Sequence, residues 1–146
     1  MRVPATSANI GVGYDCLGLA LDYLLELEVE ESDKIEFLEN GEPFSIPIED
    51  NYIFEAIKFT EKHLVKNIPS YKVNIIRNDI PLARGLGSSS SAIVAGMLIA
   101  NTFAGNPLSI DKIAELAIKM EGHPDNVVPA IFGGMVLTAH DKENIV

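Results

Sequence analysis

The segment Pro81-Leu82-Ala83-Arg84-Gly85-Leu86-Gly87-Ser88-Ser89-Ser90-Ser91 runs straight into the apolar stretch Ala92-Ile93-Val94-Ala95-Gly96, and this join constrains the chain most. Glycines at 85 and 87 let the backbone adopt conformations closed to other residues and let a ligand approach closely. The serines then open a long apolar helix. The first turn of any helix has unpaired N–H groups and the positive end of the helix dipole. Glycine followed by a helix start is therefore a natural cradle for an anion, most often phosphate. The serine hydroxyls add hydrogen bonds or one oxygen ligand for magnesium. The plain alternative is a Gly/Ser linker or a helix cap without ligand, and the abrupt passage into an apolar helix argues against it.

Two common phosphate-binding patterns are excluded. No lysine follows Gly87, so G-x-x-x-x-G-K-[ST] is absent, and Ser90 stands where G-x-G-x-x-G needs its third glycine. The 146 residues suffice for one domain with a real core, and 47% hydrophobic with 22% charged residues is ordinary for a globular protein. With 21 acidic against 11 basic residues the net charge is −10, which argues against a nucleic-acid partner. The same charge means that an anionic nucleotide is not drawn in by the overall field. Its binding has to be local, through backbone N–H groups and a cation. No run reaches membrane-spanning length, Met1-Arg2-Val3-Pro4 lacks a signal-peptide layout, and the single Cys16 excludes an internal disulfide framework. A cytoplasmic protein without membrane contact is expected, with Cys16 as a small buried residue.

Periodicity supplies the elements. Val3 to Asn9 reads as a short strand leaving into a loop. Leu19 to Glu30 is helix or strand, with strand favoured where Leu25, Leu27 and Val29 alternate with glutamates. Ile35 to Leu38 fits a strand before an Asn40-Gly41 turn. Asn51 to Val65 carries Ile53, Phe54, Ile57 and Leu64 at helical spacing, with Asp50 or Asn51 as cap. Tyr71 to Ile75 alternates as a strand. The helix from Ser88 to Phe103 is followed by one capped by Ser109, whose core face is Ile110, Ile113, Ala117 and Met120. Pro124 opens a short helix that Gly133-Gly134 ends, and Met135 to Leu137 closes the pattern as a strand. Strands and helices mix without a regular βαβ rhythm, so the class is α+β.

Two further constellations carry chemistry. Arg2-Val3-Pro4-Ala5-Thr6-Ser7-Ala8-Asn9-Ile10-Gly11-Val12-Gly13-Tyr14-Asp15 gathers small, polar and glycine residues whose Thr6, Ser7, Asn9 and Asp15 side chains can converge on a ligand. A self-bonded turn is the bland alternative. Glu121-Gly122-His123-Pro124-Asp125-Asn126 sets Glu, His, Asp and Asn around a helix boundary without zinc-ligand spacing. A simple helix stop and restart is the alternative there. His63 and His140 match no pattern and read as surface residues.

The three segments, taken in chain order, resemble the three motifs of the GHMP kinases, the superfamily of galactokinase, homoserine kinase, mevalonate kinase and phosphomevalonate kinase. The stretch from Pro81 is similar to P-x-x-x-G-L-G-S-S-A/S. The opening, through Gly18 and Ala20, is similar to V-P-A-T-S-A-N-x-G-x-G-[FY]-D-x-x-G-x-A as homoserine kinases carry it. His123 to Gly134 resembles H-x-D-N-V-x-P-A-x-x-G-G. The resemblance implies a mixed sheet packed against helices, of ribosomal-protein-like fold, forming an N-terminal ATP-binding domain over residues 1–146. Family members are roughly twice as long, so the chain is expected to be an N-terminal piece lacking the C-terminal domain, and the activity of the piece alone is open.

The reaction implied is transfer of phosphate from ATP to the hydroxyl of L-homoserine, a step toward threonine; the alternatives are another GHMP kinase acting on mevalonate or a sugar, or a non-catalytic nucleotide-binding fragment. By the same resemblance Pro81, Leu82, Ala83, Arg84, Gly85, Leu86, Gly87, Ser88, Ser89, Ser90 and Ser91 hold ATP, and Asn51 lies near the adenine. Ser89 and Glu121 hold Mg2+, with Ser88 and Glu115 as the alternatives. Asn9, Asp15 and His123 contact homoserine, and the catalytic residues are Asp15, orienting its hydroxyl, and Asn126, beside the γ-phosphate. No general base is assigned, and a homodimer is expected.

Overall fold

Hydrophobic alternation and edge protection together determine the sheet on which everything else is laid. The computed structural model describes residues 1–11, 15–65, 67–82 and 84–138. Strands β1 (Arg2–Ala8), β2 (Leu17–Glu31), β3 (Glu36–Glu39), β4 (Glu42–Pro43), β5 (Tyr71–Asn78) and β6 (Met135–Leu137) form one six-stranded sheet. Its order is β1-β2-β5-β3-β4, and β6 pairs with the start of β2. Every pairing is antiparallel except that of β3 with β5. The long β2 is the spine. It pairs with β1 on one side, and on the other first with β6 (Leu17↔Leu137) and then with β5 (Leu25↔Asn78 onward).

All of Leu17–Glu31 is therefore strand, where the sequence left helix open for its first half. Leu25 and Leu27 face the core as expected, but the intervening Glu26 is nearly buried too, held between Arg2 and Arg77. Asn40-Gly41 makes the β3–β4 turn, both residues at positive φ, and Asn74 accepts from the Gly41 N–H.

Helices α1 (Tyr52–Glu61), α2 (Ser88–Phe103), α3 (Ile110–Glu121) and α4 (Pro124–Phe132) complete the α+β fold. α2 is buried around most of its girth through Ile93, Val94, Ala95, Met97, Ile99 and Ala100, and α1, α3, α4 and β1 all pack on it. At Gly96 a Cβ would lie 2.4 Å from the Ile53 carbonyl oxygen, so glycine lets α1 cross at close range. The expected core face of α3 holds at Ile113 and Ala117, but Ile110 is exposed and Leu116 and Ile118 are buried instead. α1 ends at Glu61, so Leu64 packs from the following turn rather than from the helix. Cys16 is a half-buried free thiol, short of the buried position expected of it, and His63 is exposed beside the Phe59 ring. His140 lies outside the described residues.

Among the described residues, no helix is long and apolar enough to cross a membrane.

Candidate active site

The site grows from an irregularity in β1. The β1–β2 register shifts between Pro4, opposite Leu24, and Thr6, opposite Ala20, so the ladder is interrupted just before Thr6. The free edge of β1 is then covered by the loop before α2. The Thr6 N–H donates to the Leu86 carbonyl at 3.2 Å, and Ser91 Oγ donates to the Pro4 carbonyl at 2.8 Å. Gly87 caps α2 with φ 65, and no side chain caps that helix end. A Cβ on Gly87 would sit 2.1 Å from Thr6 Oγ1 and 3.3 Å from Asn126 Oδ1. Glycine there has two independent reasons, the left-handed backbone and the contact. The first-turn N–H groups of α2 are thus presented open, at the positive end of a 16-residue helix.

Glu121 comes to this helix start from the C-terminal end of α3. Its Oε1 accepts from Ser89 Oγ at 3.1 Å and Ser90 Oγ at 2.8 Å. A carboxylate is disfavoured at the negative end of its own helix, and here it faces the positive end of another. Gly122, at φ 92, ends α3 and turns the chain so that this is possible. Glu115, the alternative from sequence, instead pairs with Lys112 on the exposed side of α3. Glu121 and Ser89 together are hard oxygen donors of the kind magnesium takes.

The second motif lies alongside. Asn9 and Asp15 both have positive φ, 57 and 52. Asn9 Oδ1 accepts the Asp15 N–H at 3.0 Å, and Asn9 Nδ2 donates to Asp125 Oδ2 at 3.3 Å. Thr6 Oγ1 donates to Asn126 Oδ1 at 2.9 Å. His123 Nδ1 stands 3.9 Å from Asp15 Oδ1, with both side chains substantially exposed. Gly18 in β2 allows α4 to close on the strand, since a Cβ there would lie 1.8 Å from the Asp125 carbonyl oxygen. That carbonyl lacks its usual helical donor because Pro129 stands four residues on.

Asp125 is a residue that the sequence reading left out of the site. It is 2% exposed, and burial, followed by the neighbouring Asp15 charge, holds its carboxyl above the usual aspartate range. His123 and the backbone N–H groups of Asn126 and of Asp125 itself pull the other way. Its only signal in the sequence was membership of the His-Pro-Asp-Asn run, and its partner Asn9 is 116 positions away.

Asn51 sits apart from these groups but shares a cleft with the start of α2. A cavity of about 180 Å³ is lined by Asn51, Tyr52, Leu82, Ser88, Ser89 and Ala92, among mostly apolar neighbours. Asn51 Oδ1 caps α1 by accepting from the Ile53 N–H at 2.9 Å and the Phe54 N–H at 3.4 Å. Its Nδ2 is buried without a hydrogen-bond partner among the described residues. Pro81, Leu82, Arg84 and Gly85 are exposed along the loop leading to Gly87, and Ala83 lies outside the described residues. The structure thus brings together Asn9, Asp15, His123 and Asn126 in one cluster, Ser89, Ser90 and Glu121 in a second, and Asn51 with Ser88 in a third.

The sequence profile of the GHMP kinases N terminal domain matches residues 51–134. The chain belongs to this family. It is 44% identical over 148 residues to the homoserine kinase of Clostridium novyi, covering 100% of this chain and 49% of that protein. A Listeria monocytogenes structure described as a homoserine kinase superposes with a TM-score of 0.86 at 40% identity, covering 99% of this chain and 51% of that one. The homoserine kinase of Cytophaga hutchinsonii gives a TM-score of 0.74 at 28% identity, over 99% of this chain and 50% of that one. The chain of this GHMP kinase domain spans about half the length of the relatives it matches. Mixed sheet and helices follow the expected family fold.

Proposed function

We propose that this domain is the ATP- and substrate-binding part of a kinase that phosphorylates the hydroxyl of L-homoserine to give O-phospho-L-homoserine, in threonine biosynthesis. The observation that carries the reading is the open N-terminus of α2, set by Gly87 against Thr6 and Asn126 and faced by Glu121. Phosphoryl transfer asks a protein mainly for placement and charge neutralisation. The N–H groups of the first α2 turn and the loop from Pro81 to Ser91 hold the phosphates, with Arg84 supplying local positive charge. Ser89 and Glu121 hold Mg2+, which neutralises phosphate charge when bound. The orphaned Asn51 Nδ2 and the apolar cavity beside Ser88 take the adenine, whose ring nitrogens satisfy that donor.

On the other side of Gly87, Asn9, Asp15 and His123 hold homoserine, with Asp15 accepting from its hydroxyl. Asn126 stands where the γ-phosphate meets that hydroxyl. Proximity and electrostatic placement supply the rate. The domain works in a cytoplasmic homodimer, and a second domain of the kind its longer relatives have room for completes the substrate site.

The test is ADP release from Mg-ATP with L-homoserine, comparing this chain with a protein extended to the length of its relatives. Turnover in the extended protein supports the reading, and turnover in the extended protein alone assigns this domain the role of an incomplete enzyme. Turnover with mevalonate or a sugar in place of homoserine redirects the substrate assignment. ATP binding without turnover on any of these alcohols overturns it in favour of a non-catalytic nucleotide-binding domain.

A further inference from the structure

Three amide and carboxylate side chains of this site form a chain in which each orientation depends on the last. An ionised carboxylate only accepts hydrogen bonds. Asp125 Oδ2 therefore obliges Asn9 to present Nδ2, at 3.3 Å. The other end of that amide, Oδ1, is then left to accept the Asp15 N–H at 3.0 Å. Asp125 Oδ1 likewise faces Asn126 Nδ2, at a long 3.5 Å, while Asn126 Oδ1 accepts from Thr6 Oγ1 at 2.9 Å. Asn9 and Asp15 both sit at positive φ, a conformation that needs such local bonds to hold it. Asp125 itself is buried in the first turn of α4, 2% exposed.

We infer that Asp125 is a positioning residue that sets the amide orientations of Asn9 and Asn126 and, through Asn9, holds Asp15 in place for the alcohol substrate. A protonated or amidated side chain at 125 can donate, so Asn9 is free to turn over. Its NH2 group then meets the Asp15 N–H, and the bond that closes the substrate loop is lost. The kinetic consequence rests on the kinase reading, whereas the orientation of the amides does not. The groups bearing on the Asp125 charge are Asp15, which raises its carboxyl further after burial, and His123 with the two backbone N–H groups, which lower it. The charged, orienting form exists above the raised value and is lost as pH falls through it.

The experiment has two arms. In this chain, the 15N-labelled side-chain amide of Asn9 is followed by NMR as the pH is lowered from neutral. The expected result is one step above the ordinary aspartate range, moving down in Asp15→Asn and vanishing in Asp125→Asn. In the protein extended to family length, Asp125→Asn is expected to raise the homoserine KM about tenfold and leave the ATP KM within about twofold, since misplacement is confined to one substrate. An Asn9 amide indifferent to pH overturns the inference without any variant having to fold. So does an equal rise in both KM values with a lowered melting temperature, which marks a packing role alone. If the unaltered extended protein fails to turn over homoserine while the Asn9 step is present, the kinase reading falls and the positioning role stands.

Discussion

Two helix starts meet at β1, and they are finished in opposite ways. Neither α2 nor α4 has a side-chain cap on its N-terminal N–H groups. α4 carries its own anion, because Asp125 lies in its first turn, where the Asn126 and Asp125 N–H groups favour the charged carboxylate. α2 has no acidic residue in its first turn, and its nearby carboxylate, Glu121, comes from the end of α3 and engages hydroxyls rather than N–H groups. The carboxylate at the α4 start accepts from the Asn9 and Asn126 side chains. The helix left unsatisfied has its positive end available for a ligand. Within one fold, the same local feature is thus built in two ways, one with its own carboxylate and one open, and the proposed function assigns the phosphates to the open one.

The largest expected effect breaks the open end. Gly87→Val places a branched side chain on a Cβ position already 2.1 Å from Thr6 Oγ1, at φ 65 where β-branched residues are strained. In the extended protein we expect the ATP KM to rise by roughly 100-fold or more, the scale at which a 1 Å misplacement acts. Circular dichroism on the same sample checks that the fold persists. An unchanged ATP KM with a folded protein means that the phosphates lie elsewhere, and the contrast between the two helix starts loses its functional content.

A second substitution sharpens the comparison at the borrowed carboxylate. Glu121→Gln keeps an oxygen for Ser89 and Ser90 but removes the charge. The expected outcome is a drop in turnover of about 100-fold at low Mg2+, partly recovered as Mg2+ is raised, as for loss of a charge-stabilising group. Titrating Mg2+ in the variant reads this directly. Equal activity at every Mg2+ concentration assigns Glu121 to packing of α3 on α2 and returns the metal role to another residue.

At the self-satisfied end the expected loss is smaller. Asp15→Asn removes the acceptor proposed for the substrate hydroxyl but leaves the backbone bond to Asn9, which uses the N–H. Turnover should fall by about tenfold or more with ATP binding unaltered, as for the loss of one positioned proton acceptor. Near-normal kcat in this variant removes Asp15 from the chemistry.

These contrasts mark how far the sequence could be read. Helix boundaries were legible where local chemistry dictates them, as with Ser109 before α3, Gly122 after it and Pro124 opening α4. The start of β2 was not, because Leu19, Ala20 and Leu21 are all half-buried where β2 runs between β1 and β6, which erases the alternation. Ile110 fits the periodic face of α3 yet is exposed at its first turn. β4, two residues long, has no periodicity to detect. The segments of the three motifs lie beside one another in the fold. The Asp125–Asn9 bond was invisible because it links residues 116 apart. The choice of Glu121 over Glu115 as the carboxylate nearest Ser89 depends on which side of α3 faces α2, which only packing decides.

A third helix start gives the smallest and cleanest test. α1 is capped by the side chain of Asn51, so its end needs neither ligand nor internal acid. Yet the same amide leaves Nδ2 buried and without a partner among the described residues, and Asn51 lines the cavity beside Ser88. Serine caps helices about as well as asparagine, so Asn51→Ser should change stability by less than about 0.5 kcal/mol. It removes the amide donor proposed for adenine, and a neutral hydrogen bond is worth about 1 kcal/mol, so ATP should bind about fivefold more weakly. Binding of inorganic triphosphate, which has no base, should be unaffected. Calorimetry with both ligands separates the outcomes. Equal weakening of both would mean that Asn51 acts on the phosphate site through α1 packing. No change in either would reduce Asn51 to a cap, with the adenine held by the apolar walls of the cavity.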